Sequence, residues 1–417
     1  MEQRARSSHR ADRWGLRRGD LLASEMPDRH TLLPTGRNRI ERMGRAINID
    51  DFRRRAERRL PKMVFDYLEG GAEDEYCLQH NLEVLRSLRF LPKRMRDVAS
   101  PDSSIELFDR KCPAPFLIGP TGLNGVLWPG GDIALARAAA KASIPFVLST
   151  PAQNSIEEVA DKAGGELWFQ LYDINRKLTR ELVERASRSG YKALVLTVDV
   201  PANGRRERDL RNGFVIPFQY TPKVIWDGVR HPSWAWQFLR HGMPVMANLV
   251  TSAESNTQAA KALASRRMNA ALSWEDLREL RTLWPHNLLV KGVLDPADAI
   301  LCTGAGVNGI ILSNHGGRQL DSAASPVEVL PRIASQCRAP LLIDGGFRRG
   351  SDIVKAIALG AKAVLLGRAV LYGLAADGES GATEVIAMLQ EEIGGTLAQI
   401  GCASICSLTP EYLLPSS

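Results

Sequence analysis

The stretch Gly309–Asp321, GIILSNHGGRQLD, holds the residues best suited to chemistry. Its apolar opening has the pattern of a buried parallel strand. The strand runs directly into Ser313, Asn314, His315, Gly316, Gly317 and Arg318. A histidine can take up a proton near neutral pH. Two glycines let backbone approach a flat ligand closely. An arginine three residues on can grip a carboxylate through two parallel hydrogen bonds. Taken singly, each residue reads as part of an ordinary loop between strand and helix. Together they place a base beside a carboxylate clamp.

Such a group needs a frame. Eight short apolar runs recur, at residues 116–122, 145–150, 167–172, 193–199, 288–293, 309–314, 340–346 and 363–369. Helical spacing fills most gaps, as at 132–142, 156–163, 178–189, 274–283, 296–303 and 351–359. This alternation predicts an α/β fold, a closed (β/α)8 TIM barrel. An open doubly wound sheet would need a G-x-G-x-x-G turn, which Gly119-Pro120-Thr121-Gly122 does not supply. Barrel chemistry sits at the carboxyl ends of the strands. There the sequence places Thr121 and Gly122, Ser149, Gln170 and Tyr172, Thr197 and Asp199, Lys291, Ser313 and His315, Asp344, and Gly367 with Arg368.

Two segments depart from the rhythm. An N-terminal helical segment begins near Asp51-Phe52, and Met63, Val64, Tyr67 and Leu68 share a face of a second helix that Gly70-Gly71 ends. A long insertion, residues 200–273, follows the fourth strand. It carries Trp226, Trp234, Trp236 and Phe238 among Arg230, His231, Arg240 and His241. Aromatic plus basic residues suit a lipid–water interface. The alternative is a lid folded onto the barrel or against a neighbouring subunit.

The motifs SNHGGRQLD, LIDGGFRRG with the residues following to 360, and LLGRA resemble the FMN-dependent L-2-hydroxy acid dehydrogenase and oxidase family. The resemblance runs from about residue 47 to 413. The stretches LPKMVFDYLEGGAEDEY, IGPTGLNGVLWPGGD, LWFQLY, NGRRERDLRNGF, RHGMP and TLAQIGC are most similar to its bacterial members that oxidise (S)-mandelate to benzoylformate. The resemblance implies FMN as cofactor. It assigns to FMN Pro120, Thr121, Gly122, Ser149, Gln170, Thr197, Lys291, Ser313, Asp344, Gly345, Gly346, Phe347, Arg348, Gly367 and Arg368. It assigns to the substrate Tyr67, Tyr172, Arg206, His315 and Arg318.

The chemistry is consistent with these roles. Oxidising a 2-hydroxy acid moves two electrons, and no side chain can accept them, so a cofactor is required. His315 fits the base, and Asp199 would stabilise its charged form. Arg206, Arg318 and Tyr67 fit the substrate carboxylate, and Tyr172 the hydroxyl. Lys291 would stabilise negative charge on the reduced ring. The loops after strands seven and eight suit the phosphate, with Arg348 and Arg368 as guanidinium donors. Gly122 stands where the family's oxidases commonly carry Ala, which points away from oxygen as acceptor. Segment 218–256 resembles the part by which the mandelate enzymes attach to membrane, where quinone is available. The expectation is a cytoplasmic homotetramer, peripheral on the inner face of the cell membrane. The loop PAQNSIE after Thr150 departs from the pattern and bears on substrate preference. The competing readings are an L-lactate dehydrogenase, an oxidase releasing hydrogen peroxide, an FMN-dependent isomerase, and a non-catalytic membrane-binding barrel.

Composition narrows the classes further. Hydrophobic content of 44% and charged content of 24% suit an ordinary globular chain. Residues 1–46 hold eleven Arg and six Asp plus Glu, so +5 of the net +7 lies in that tail. The body is nearly neutral, which argues against a nucleic-acid partner. The tail is expected to be disordered or weakly helical, with Met43 as an alternative start. None of the six Cys forms a Cys-x-x-Cys pair, so free thiols and no metal site are expected.

Overall fold

Local sequence chemistry starts several elements of the computed structural model, which describes residues 46–214, 221–242, 245–249 and 270–415. The Asn48 side chain accepts the Asp51 N–H and opens α1 (Ile49–Arg59). Then come α2 (Lys62–Glu69), which stops at Gly70, and α3 (Tyr76–Ser87). A Cβ on Gly70 would lie 2.7 Å from the Asp66 carbonyl oxygen, so the chain can turn there only without a side chain. Phe52, Ala56, Leu60 and Val64 are fully buried and fix α1 and α2 to the body of the fold.

A hairpin of β1 (Ile105–Leu107) and β2 (Arg110–Cys112) follows. Its turn residue Phe108 stands 5.7 Å from the ring of Trp168, at the amino end of the barrel. The barrel strands are β3 (Phe116–Ile118), β4 (Phe146–Ser149), β5 (Leu167–Leu171), β6 (Ala193–Thr197), β7 (Asn287–Val293), β8 (Gly309–Leu312), β9 (Leu341–Ile343) and β10 (Ala363–Leu366). All pair in parallel with their sequence neighbours, and β10 closes on β3. The expected (β/α)8 barrel is therefore the fold. Register places Ser149 opposite Gln170 and Thr197 opposite Lys291, so polar strand ends become neighbours.

The remaining helices are α4 (Asn124–Leu127), α5 (Gly131–Lys141), α6 (Ile156–Ala163), α7 (Arg176–Arg188), α8 (Glu207–Asn212), α9 (Pro222–Val229), α10 (Pro232–His241), α11 (Trp274–Leu283), α12 (Pro296–Gly304), α13 (Pro326–Ala334), α14 (Gly350–Ala358) and α15 (Arg368–Ile400). Within α15 the backbone breaks at Asp377 and Gly378. A Cβ on Gly378 would meet the Trp128 ring at 2.6 Å, and the residue's φ is +64°.

The described part of the insertion is helical, which the apolar pattern did not suggest. Thr221 caps α9, and Pro222 and Pro232 stand in the first turns of α9 and α10. The four aromatic residues divide. Trp234 is buried, donates Nε1–H to the Val126 carbonyl at 2.8 Å, and stacks on Phe238 at 5.0 Å. Trp226 and Trp236 stay 64% and 67% exposed, beside exposed Ile225, Val229 and Leu239. Residues 218–220, 243–244 and 250–256 of the expected membrane segment lie outside the described residues, as does the tail apart from buried Ala46. Among the described residues, no helix is long and apolar enough to cross a membrane.

Candidate active site

The carboxyl ends of the strands open into a cavity of about 600 Å³. At its centre the loop after β8 holds His315, Gly316 and Gly317 in successive left-handed conformations, with φ of +58°, +63° and +75°. That conformation is costly for histidine, so its surroundings must enforce it. They do. Ser313 Oγ accepts the His315 N–H at 2.9 Å. Asn314 is buried and exchanges amide hydrogen bonds with Asn81 of α3 at 2.8 and 3.0 Å. The Gly317 carbonyl accepts the Ala72 N–H at 2.8 Å, and a Cβ on Gly317 would lie 2.6 Å from Leu78 N.

Above this support, His315 Nδ1 lies 2.8 Å from Asp199 Oδ1, and Nε2 lies 3.4 Å from the Tyr172 hydroxyl. Burial lowers the His315 pKa; Asp199 opposes that, while Lys291 and Arg206 add to it, and the net shift is downward. Burial also disfavours the Asp199 carboxylate, but His315 and Lys291 outweigh it and hold its pKa below the usual range. The resting pair is therefore a neutral imidazole against a carboxylate. The ring nitrogen facing Tyr172 is the one that can receive a proton.

Lys291 is buried in β7, with Nζ 2.7 Å from Ser313 Oγ, 3.1 Å from Asp344 Oδ2 and 3.8 Å from Asp199 Oδ2. Burial alone would neutralise it; Asp344 and Asp199 reverse that and raise its pKa. A fixed positive charge thus stands in the cavity wall.

Ser149, Gln170 and Thr197 form one chain under the cavity. Ser149 Oγ donates to Gln170 Oε1 at 2.8 Å, and Gln170 Nε2 donates to Thr197 Oγ1 at 3.0 Å. Pro120, Thr121 and Gly122 line the cavity together with Asp344, Gly345, Gly346, Phe347, Arg348, Gly367 and Arg368. Gly345 and Gly346 have φ of +100° and +89°, and a Cβ on Gly367 would meet nothing closer than 3.9 Å. That backbone leaves room for a bulky group at the start of α15, where helix N–H groups favour an anion.

The three proposed carboxylate ligands gather at the cavity mouth. Tyr67 stacks on Phe214 at 4.4 Å and donates its hydroxyl to the Gly122 carbonyl at 3.2 Å. The Arg318 guanidinium lies 5.1 Å from the Tyr67 ring centre, and its Nη1 donates to the Tyr67 and Gly70 carbonyls. Arg206 lines the same cavity at the start of α8. Helix α8 is docked on α2 through Asp66, which receives Asn212 and Arg208, and on the start of α3 through Glu75, which also receives Arg208.

Arg368 makes contacts beyond its sequence-based role. Arg368 was expected to offer its guanidinium to phosphate. In this structure that group donates to the carbonyls of Leu68, Gly316 and Gly70 at 3.1, 2.9 and 2.7 Å. Burial lowers its pKa to about 9. Arg368 ties the N-terminal segment to the His315 loop. Sequence reading also passed over Asn81, Asn314 and Asp321. Asp321 accepts the Tyr76 and Cys77 N–H groups at 3.1 and 2.9 Å and so caps α3 from a distant loop.

A flavin nucleotide suits this arrangement. Among the described residues, Asp344 Oδ1 is buried without a hydrogen-bond partner, which a polyhydroxyl ligand would satisfy. The Gln170 chain offers amide hydrogen bonds, Lys291 a positive charge, and the α15 start an anion site. The profile of the family described as FMN-dependent dehydrogenase matches residues 56–415. The chain is 57% identical over 367 residues to the (S)-mandelate dehydrogenase of Pseudomonas putida, covering 88% of this chain and 93% of that protein. It is 38% identical to a peroxisomal (S)-2-hydroxyacid oxidase of Arabidopsis thaliana, covering 89% and 97%. The crystal structure of the monotopic membrane protein (S)-mandelate dehydrogenase superposes with a TM-score of 0.87 at 57% identity, covering 89% of this chain and all of that one. The chain belongs to the FMN-dependent dehydrogenase family. It is an oxidoreductase, and its cofactor is FMN.

Proposed function

We propose that this enzyme oxidises (S)-mandelate to benzoylformate and passes the electrons to a membrane acceptor such as quinone. The observation that carries the reaction type is the His315–Asp199 pair at 2.8 Å beside the Tyr172 hydroxyl, opening on the same cavity as Lys291. FMN supplies the two-electron acceptor. Arg318, Arg206 and Tyr67 hold the substrate carboxylate. Tyr172 orients the hydroxyl. His315 Nε2 removes a proton, and Asp199 stabilises the imidazolium that results. Lys291 supplies positive charge where negative charge develops.

Mandelate is favoured by the 57% identity to a mandelate dehydrogenase and by apolar lining from Val200, Leu210 and Met246, which suits a phenyl ring. The membrane acceptor is favoured by exposed Trp226, Trp236, Ile225, Val229 and Leu239 on α9 and α10. They support a peripheral membrane enzyme; the inner face of the cell membrane and a homotetramer rest on the family resemblance alone. Anaerobic mixing with (S)-mandelate, followed by flavin absorbance, tests the reading. Rapid bleaching by (S)-mandelate and not by (R)-mandelate is expected. Bleaching by L-lactate alone would overturn the substrate, and bound flavin that no hydroxy acid bleaches would overturn the reaction.

A further inference from the structure

Asp132 is a buried carboxylate that none of these roles uses. It stands in the first turn of α5 with no exposed surface. Its Oδ1 accepts Asn124 Nδ2 at 2.7 Å, at the start of α4 just after the β3 loop. Its Oδ2 accepts the N–H groups of Gln153 and Asn154 at 2.8 and 3.1 Å, in the loop after β4. Asn124 extends this grip, since Nδ2 also donates to the Thr121 carbonyl at 3.1 Å and Oδ1 accepts the Thr121 hydroxyl at 3.0 Å. The two loops meet directly. Leu123 N–H donates to the Pro151 carbonyl at 3.2 Å, and a Cβ on Gly122 would lie 2.9 Å from Pro151 Cγ. Gly122 and Pro151 both line the cavity, and the Gly122 carbonyl also receives the Tyr67 hydroxyl.

Burial raises the Asp132 pKa to about 6; the hydrogen bonds from Asn124, Asn154 and Gln153 oppose the rise, and nearby Glu158 adds to it. At neutral pH Asp132 is thus an ionised acceptor for all three donors. A carboxamide cannot replace it. Its NH2 would face either Asn124 Nδ2 or a backbone N–H, donor against donor. Flipping Asn124 would relieve the first clash only by turning its oxygen onto the Thr121 carbonyl. Either way the mismatch arrives next to Gly122.

We propose that Asp132 is a positioning residue that holds Gly122 against Pro151 and so sets the space beside the flavin on that wall. This rests on the reading that the flavin ring lies against Gly122. The test uses the holoenzyme and sulfite, a small nucleophile that binds oxidised flavin reversibly and bleaches it. Sulfite dissociation constants would be measured for Asp132→Asn, Asp132→Ala and Gly122→Ala, with FMN content and Tm alongside. Asp132→Asn is expected to keep FMN and cooperative unfolding, while its sulfite constant shifts about fivefold or more, because small displacements at such sites are amplified. Gly122→Ala should also shift it. If Gly122→Ala shifts the constant but both Asp132 variants stay within about twofold of the parent, Asp132 does not position this wall. If both Asp132 variants lose FMN and cooperative unfolding, the residue only stabilises the fold and the proposal fails. If Gly122→Ala changes nothing, the ring is not against Gly122 and both readings fall.

Discussion

His315 is poised by opposing pulls. Burial and two cations favour its neutral form, and Asp199 at 2.8 Å favours the charged one. A base needs both: it must start neutral and be stabilised once protonated. Replacing His315 with Ala should leave FMN bound and slow flavin reduction by a factor of roughly 10²–10⁴, read by anaerobic stopped flow. Rapid reduction by that variant would remove His315 from the mechanism. The pH dependence follows from the sign of the shift. With its pKa lowered, the imidazole stays neutral below the ordinary histidine range, and kcat/KM should fall only as pH drops through that lowered value. Asp199→Asn removes the partner that raises the pKa. The acid limb should then move to still lower pH while the plateau rate falls. An acid limb that stays in place would show that Asp199 is not coupled to His315. His315, Asp199 and Lys291 could be singled out in the sequence because each stands at or just after an apolar run, and the fold brings them together. The three carbonyls that the Arg368 guanidinium meets come from segments far away in sequence and left no local signal.

The His315 loop is held largely by elements outside the barrel. Helix α3 has Glu75 in a left-handed conformation at its start and no cap from that side chain. Asp321, far along the chain, caps it instead through the Tyr76 and Cys77 N–H groups. The same helix carries Asn81, the partner of Asn314. Asp321→Ala should therefore cost about 1–2 kcal/mol, as loss of a helix cap does, and lower Tm by a few degrees in thermal unfolding. It should also loosen the His315 loop, so substrate reduction of the flavin should slow more than FMN release quickens. An unchanged Tm would show that the cap contributes nothing. A cap supplied from a distant loop leaves no local signature, which is why α3 went unassigned from the sequence.

At the scale of the whole molecule, the insertion separates its two faces by burial. Trp234 and Phe238 pack onto the body, while Trp226 and Trp236 remain exposed. The double variant Trp226→Ser with Trp236→Ser should lose most of its sedimentation with anionic lipid vesicles, and flavin reduction by substrate in solution should not change. Retained vesicle binding would move the membrane contact elsewhere. The eight strands could be read from the chain because a parallel strand buried on both faces must be apolar along its length. The barrel topology followed from their alternation with helices, and the chemistry from the polar residues that end them. Those properties depend on residues adjacent in sequence. The Asn81–Asn314 pair, the Asp321 cap, the Asp132 contacts, the placement of Arg368 and the division of the tryptophans depend on residues far apart in sequence. Only folding brings such donors and acceptors within hydrogen-bond distance, and only burial makes each of them obligatory.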